Sequence, residues 1–334
     1  PIMTVSGAYS VNSSEMVGGL GIQSEHIAFI SFVTSIGMAA FSPFFYSLVS
    51  VRRQKLMSLV GFSLLAVQSY ICANTDSLFI LALNSLIMGF VRQTLLMCTL
   101  FTLIKYGFGI EATRNVSPGN EPTDEAGWDA LDTEKKASQP IIYFFFMLLG
   151  QIGTWITAWF AYNYHWQMVY YAMLGAILVA LLITLVCMPY NSYPTKHCPL
   201  SFSKFGNVVV FCVMCCSFVY VTVYGKVYDW YDSPYIRWST AICVVSTLLF
   251  FYLEKTRRSP YFMLKAFKSR SIQGGILLFI GLMVCNSSSM LVNIFVGVGM
   301  KTDQIQVAAL GNWVLLGYFI GLVVILLLNN KGVH

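Results

Sequence analysis

Residues 167–188 read QMVYYAMLGAILVALLITLVCM, a run with no charged side chain and no proline. About 20 apolar residues suffice for a helix to cross the hydrocarbon core of a bilayer. Inside that core every backbone amide and carbonyl must find a partner, which leaves helices and closed barrels as the spanning structures. A barrel strand shows roughly ten residues of alternating polarity, whereas this run is continuously apolar. It predicts a membrane-crossing helix. The same reading on either side gives further spans at about 26–50, 56–75, 77–104, 140–162, 206–224, 235–253, 272–296 and 305–328. The expected fold class is all-α, a polytopic helical membrane protein with about nine transmembrane helices.

Composition agrees with this reading. Of 334 residues, 57% are hydrophobic and only 10% charged, and the mean hydropathy is +0.69. A soluble domain carries about 25% charged residues, so much of this surface faces something other than water. The chain starts at Pro1, residues 1–24 are rich in Gly and Ser without a complete span or a signal peptide, and Asn329-Asn330-Lys331 lies just past the last apolar run. The expectation is a piece of a longer protein.

The net charge of +6 is an orientation signal, not a nucleic-acid footprint. With residues 1–24 placed on the periplasmic side and the spans alternating, one set of loops holds 16 of the 20 Lys and Arg, among them Arg52, Arg53, Lys55, Lys135, Lys136, Arg257, Arg258 and Lys265. The other set holds Lys226, Arg237 and Lys301. Basic residues are retained on the cytoplasmic side. The expected location is a bacterial-type inner membrane, with residue 1 periplasmic and the C-terminal end of the chain cytoplasmic.

The loop 105–139 is the one long polar insertion. Between Glu111 and Lys136 it carries seven acidic residues against three basic ones, and Gly119, Pro122 and Gly127 argue against a compact domain. It reads as a solvated linker without a packed core, or as a docking segment.

Few residues inside the spans can carry chemistry. Arg92 is the one charge deep in a span, and leaving it to lipid costs about 2.5–3.5 kcal/mol on insertion scales. It must face protein or a hydrated cavity, near Asn84, Ser85 and Gln93. Ser85 lies seven residues, about two turns, before it on the same face. Either Arg92 marks a substrate or ion path, or it ties helices together through carbonyls. A second polar group is Asn286-Ser287-Ser288-Ser289 in the span 272–296, and a third is Gln151 and Thr154 beside Gly150 and Gly153. Broken or polar helix segments line transporter sites, but interhelical hydrogen bonding explains the same residues.

Other features read as structural. Cys212, Cys215 and Cys216 lie within an apolar run with no second pair, so no metal centre is expected. Trp155, Trp159, Tyr162, Tyr164 and Trp166, and likewise Tyr228, Trp230, Tyr231, Tyr235 and Trp238, bracket two turns as interfacial belts do. The four histidines lie in loops or at ends, and no HExxH, P-loop or GxSxG pattern occurs. No enzyme is expected.

Three stretches carry a family resemblance: Asn163-Tyr164-His165-Trp166 with Tyr170-Tyr171; Gly225-Lys226 with Asp229-Trp230; and Glu254, Pro260 and Phe267 with Lys268-Ser269-Arg270. Together they resemble the major facilitator superfamily, in its fourteen-span drug:proton antiporter branch of the multidrug resistance protein B type. On that registration residues 1–190 hold family helices two to six, 191–254 the two extra central helices, and 255–334 the start of the second bundle with helices seven and eight. The signature motifs are degraded. Arg52 and Arg53 remain of the loop motif; Ser85 stands four residues before Gly89 where the family has Arg; Gly153 survives in the antiporter motif, but Thr154 replaces its Pro and Thr157-Ala158 its glycines.

The resemblance implies secondary-active efflux of small amphipathic molecules by alternating access, with proton coupling, no organic cofactor and a periplasmic membrane-fusion protein as partner. An uptake transporter, or a non-transporting scaffold or sensor acting through the acidic loop, is the alternative.

Overall fold

The structure, a computed structural model, describes residues 2, 7, 13–44, 54–102, 125–188, 202–256, 268–270, 272–281, 284, 300 and 304–330. Those residues contain helices and turns and no strand. The helices are α1 (Ser13–Leu20), α2 (Ser24–Phe41), α3 (Gln54–Asn74), α4 (Leu78–Thr102), α5 (Glu125–Asn163), α6 (Gln167–Cys187), α7 (Phe202–Tyr224), α8 (Pro234–Thr256), α9 (Ile272–Gly281) and α10 (Gln304–Asn330). Among the described residues, α2, α3, α4, α6, α7, α8 and α10 are long and apolar enough to cross a membrane. The molecule is a polytopic all-α protein.

Local chemistry sets the helix ends. Gly21 follows α1 with φ of +63°, and the amide of Ile22 bonds back to the carbonyl of Val17 at 3.3 Å. That is the six-to-one closure of a glycine-ended helix. At the start of α8 the Ser233 hydroxyl accepts from the Tyr235 amide at 3.3 Å, and Pro234 occupies the first helical position, where no amide hydrogen is needed. The α7–α8 turn closes over Gly225, where a Cβ would lie 2.7 Å from the Trp230 ring. Where the Lys55 ammonium donates to the Leu185 carbonyl at 2.8 Å, a cation satisfies one of the last acceptors of α6.

Two expected boundaries change. The first span was read as 26–50, but α2 ends at Phe41 and passes into a single 3-10 turn, Ser42–Phe44. Pro43 has no amide hydrogen to continue the helical bonding pattern, although Ser42 before it keeps helical torsions (φ −49°, ψ −45°). The linker 105–139 is helical from Glu125 onward, because α5 runs unbroken to Asn163. The stretch from Glu125 to Lys136 is rich in Ala, Leu, Glu and Lys, strong helix formers, and Glu125 and Asp129 lie at the end where a helix favours negative charge. Pro140 is accommodated within it. At about 1.5 Å per residue the added 15 residues lengthen the helix by roughly 22 Å. Residues 103–124 of the same loop lie outside the described residues.

The helices form an up-and-down bundle. The turns at 21–23, 75–77, 164–166 and 225–233 share one end, called here the turn end. α2 and α4 run parallel, and a Cβ added at Gly89 would meet the Thr34 carbonyl and the backbone of Gly37. Small residues let membrane helices approach this closely. One buried cluster, including Met16, Ile30, Leu65, Leu81, Met88, Tyr170 and Ile177, joins α1, α2, α3, α4 and α6. A second, of Ile36, Ala40, Val208, Cys212 and Phe250, joins α2 to α7 and α8. α10 packs along α5, with Phe144 and Phe319 ring centroids 5.7 Å apart. Phe79, Leu83, Val186 and Leu248 point outward, as residues facing lipid do.

Candidate functional site

Polar side chains inside an apolar bundle need partners. Most hydroxyls here find one in their own helix: Thr34 with the Ile30 carbonyl at 3.2 Å, Ser69 with Leu65 at 2.9 Å, Ser85 with Leu81 at 2.6 Å, Thr94 with Phe90 at 3.1 Å and Thr154 with Gly150 at 3.1 Å. Such back-bonding satisfies a hydroxyl locally and removes its need for a second helix. Asn74 and Asn163 bond back in the same way, to the Tyr70 carbonyl at 2.9 Å and the Trp159 carbonyl at 2.8 Å, whereas Asn84 and Gln151 reach across to other helices.

On α4, Asn84 is buried and donates to the Gln68 carbonyl at 2.9 Å and to Cys72 Sγ at 3.0 Å, locking α4 to α3. Ser85, one position on, is fully buried and closely approached by Gly7, which has no room for a side chain. The Gly7 carbonyl in turn accepts from the Tyr170 hydroxyl at 2.7 Å. Asn84 therefore ties α4 to α3, while Ser85 packs against Gly7. Gln93 and Thr94 are buried, while Arg92 is half-buried and engaged with neighbouring groups. Gly89 serves the α2–α4 approach.

The most distinctive polar group lies between α5 and α10. Gln151 Nε2 donates to the Ala308 carbonyl at 2.8 Å and lies 3.4 Å from Asn312 Oδ1. Trp155, one turn beyond Gln151, donates its indole Nε1 to the same Asn312 oxygen at 3.1 Å. Gly311 makes room for this, since a Cβ there would land on the Gln151 carboxamide. Thr154 occupies the same side of α5, because positions three and four apart are neighbours on a helix. Gly153 beside it is buried.

Depth gives this seam its meaning. Gln151 precedes the end of α5 by 12 residues, about 18 Å, and Asn312 follows the start of α10 by 8 residues, about 12 Å. A hydrocarbon core is about 30 Å thick, and if the turn end lies at its boundary both side chains fall inside it. Asn312 is nevertheless exposed on the surface of this chain. A carboxamide at that depth is costly to leave against hydrocarbon, so the seam calls for a hydrated or polar neighbour.

Gln151 and Thr154 were legible as candidates from the sequence; Asn312 and Trp155 were not paired with them. A lone Asn in the otherwise apolar run 305–328 was the available signal. Arg52, Arg53, Asn286 and Ser287 lie outside the described residues. No group of three or more His, Cys, Asp or Glu side chains placed to hold a metal occurs among the described residues.

No protein-family model matches the sequence, and no curated protein matches it. The architecture and the composition of its outer surface define the class directly: an α-helical, multi-span membrane protein.

Proposed function

We propose that the protein is a secondary-active transporter that exports small amphipathic molecules by alternating access, with the α5–α10 seam on its pathway. The observation that carries this reading is the hydrogen-bonded cluster of half-buried Gln151 and Trp155 with exposed Asn312, set well along two helices of an apolar bundle. Transporter sites lie near the bilayer midplane, where two helix groups meet and rock against each other. A seam built from a glycine and a few exchangeable hydrogen bonds suits such motion. Its carboxamides both donate and accept, and the Trp155 ring adds an apolar face, so a molecule with a polar head and an aromatic or aliphatic body fits its chemistry.

The sequence resemblance to the drug:proton antiporter branch of the major facilitator superfamily supports the same reading, and implies a proton gradient as the driving force and a periplasmic partner protein. The charge asymmetry supports a cytoplasmic location for the ends opposite the turn end. The 15-residue continuation of α5 favours the second reading, a scaffold or sensor, because a rigid helix can present the acidic segment to a partner.

Reconstitution into proteoliposomes with an amphipathic fluorescent cation and an imposed proton gradient separates the two. Transport requires gradient-driven dye movement, reduced by Gln151→Leu and by Asn312→Leu at unchanged insertion. No gradient-driven movement of dyes differing in charge and size would leave the scaffold reading in its place.

A further inference from the structure

Between α7 and α8 runs an open groove of about 430 Å³ that the transport reading does not use. Val209 and Val213 line it from α7, and Trp238, Val245 and Leu249 from α8. All five are exposed on the outer surface of the chain. The one hydroxyl in the lining, that of Ser246, is taken up within α8 by the Ile242 and Cys243 carbonyls, at 2.6 and 3.1 Å. The groove therefore offers a guest apolar contact alone. α8 packs mainly against α7, so this side of the hairpin faces the bilayer.

The end of the hairpin away from its turn supplies positive charge. Lys255, in the last turn of α8, is exposed and has no ion-pair partner among the described residues. Its neighbour Glu254 is buried, with Asn207 donating to it at 3.1 Å, so that carboxylate is turned into the hairpin. No other Asp or Glu lies at this end of α7 or α8 among the described residues. Arg257 and Arg258 follow Lys255 within three positions of the chain, outside the described residues. Leu249 and Val245 precede Lys255 by 6 and 10 residues, about 9 and 15 Å along a helix. One leaflet of a hydrocarbon core about 30 Å thick covers the same depth. A lysine stem lies along apolar surface while its ammonium reaches the headgroup level.

We propose that the α7–α8 hairpin binds an anionic phospholipid of the leaflet at that end, with one acyl chain in the groove and its phosphate at Lys255, Arg257 and Arg258. Charge selects this occupant. An apolar groove alone accepts any chain, whereas basic residues just beyond a membrane helix favour a negatively charged headgroup. The site stands apart from the transport reading, since a protein that moves no substrate can still retain a lipid.

The test reconstitutes the full chain into vesicles of equal phosphatidylglycerol and phosphatidylcholine with identical acyl chains. The protein is then extracted in mild detergent, and native mass spectrometry identifies the lipid it retains. Wild type should retain phosphatidylglycerol over phosphatidylcholine by roughly tenfold or more, because each basic residue near an anionic headgroup favours binding by about fivefold. Replacing Lys255, Arg257 and Arg258 together by Gln should bring the two lipids to equal retention. Val213→Trp with Val245→Trp fills the groove from an exposed apolar face and should reduce retention of both lipids. Should the triple variant fail to insert, Lys255→Gln alone and the groove variant decide the matter. Equal retention of the two lipids by wild type would overturn the proposal, and so would a groove-filled variant that retains phosphatidylglycerol as wild type does.

Discussion

Gly37 and Gly89 stand face to face where α2 runs along α4: a Cβ on Gly89 would lie 2.9 Å from the Gly37 Cα and would strike the Thr34 carbonyl. Backbone lies opposite, not the tip of a flexible side chain, so the helices must separate to admit anything larger. Gly89→Val should therefore destabilise the protein by about 3 kcal/mol, the upper part of the usual overpacking range. Thermal unfolding in detergent measures it. A Tm equal to wild type would mean that α2 and α4 are not in this contact.

Tyr170 is buried, and its hydroxyl donates to the Gly7 carbonyl at 2.7 Å. Tyr170→Phe keeps the ring and its edge contact with Trp166 but leaves a buried carbonyl without its donor. The expected cost is about 1–2 kcal/mol, seen as a lower Tm and as faster proteolysis before residue 13. An unchanged Tm together with unchanged proteolysis would show that this hydrogen bond does not anchor Gly7.

The crossing helices were legible because a bilayer demands long uncharged runs, and 167–188 or 206–224 cannot be read otherwise. Their ends were less so. The run 26–50 stays apolar well past Phe41, and the local effect of Pro43 ends the helix there. At 125–139 polarity suggested a linker, yet helix propensity in Glu125–Lys136 joins the apolar run after Pro140 in one element. Asn84, Ser85, Gln151 and Thr154 were visible as polar interruptions, but which of them tie helices together depends on partners far away in the chain. Asn312 is 161 positions from Gln151, and Glu254 is 47 from Asn207. Such pairs arise from packing, which periodicity and composition do not encode.

Orientation is open to direct test. Single cysteines at His165 and Asp229, in the turn end, should react in intact cells with a membrane-impermeant thiol reagent, in a background without the nine native cysteines. Cysteines at Arg52, Lys135 and Lys265 should react only after the membrane is opened, following the asymmetry of basic residues. The reverse pattern would overturn the proposed topology.

Arg92 distinguishes pathway from packing. Arg92→Lys should retain part of the transport, because the charge remains while the planar donor fork is lost. Arg92→Ala should insert normally, as it removes an insertion penalty of about 2.5–3.5 kcal/mol, but transport little. Flux in vesicles at matched expression measures both. Full transport by the Ala variant would assign Arg92 no part in the pathway.

The central claim is that the α5–α10 seam faces water at mid-membrane depth. Asn312 and Trp313 are adjacent on α10 and both exposed, Trp313 at 72%, but a helix turns their side chains about 100° apart. In the cysteine-free background, Asn312→Cys and Trp313→Cys can be compared for their rate of reaction with a small hydrophilic thiol reagent. That reaction needs a thiolate and therefore water. Asn312→Cys should react many times faster than Trp313→Cys, and an amphipathic substrate should slow it. Equal and negligible rates at the two positions would place the seam against lipid and contradict the account.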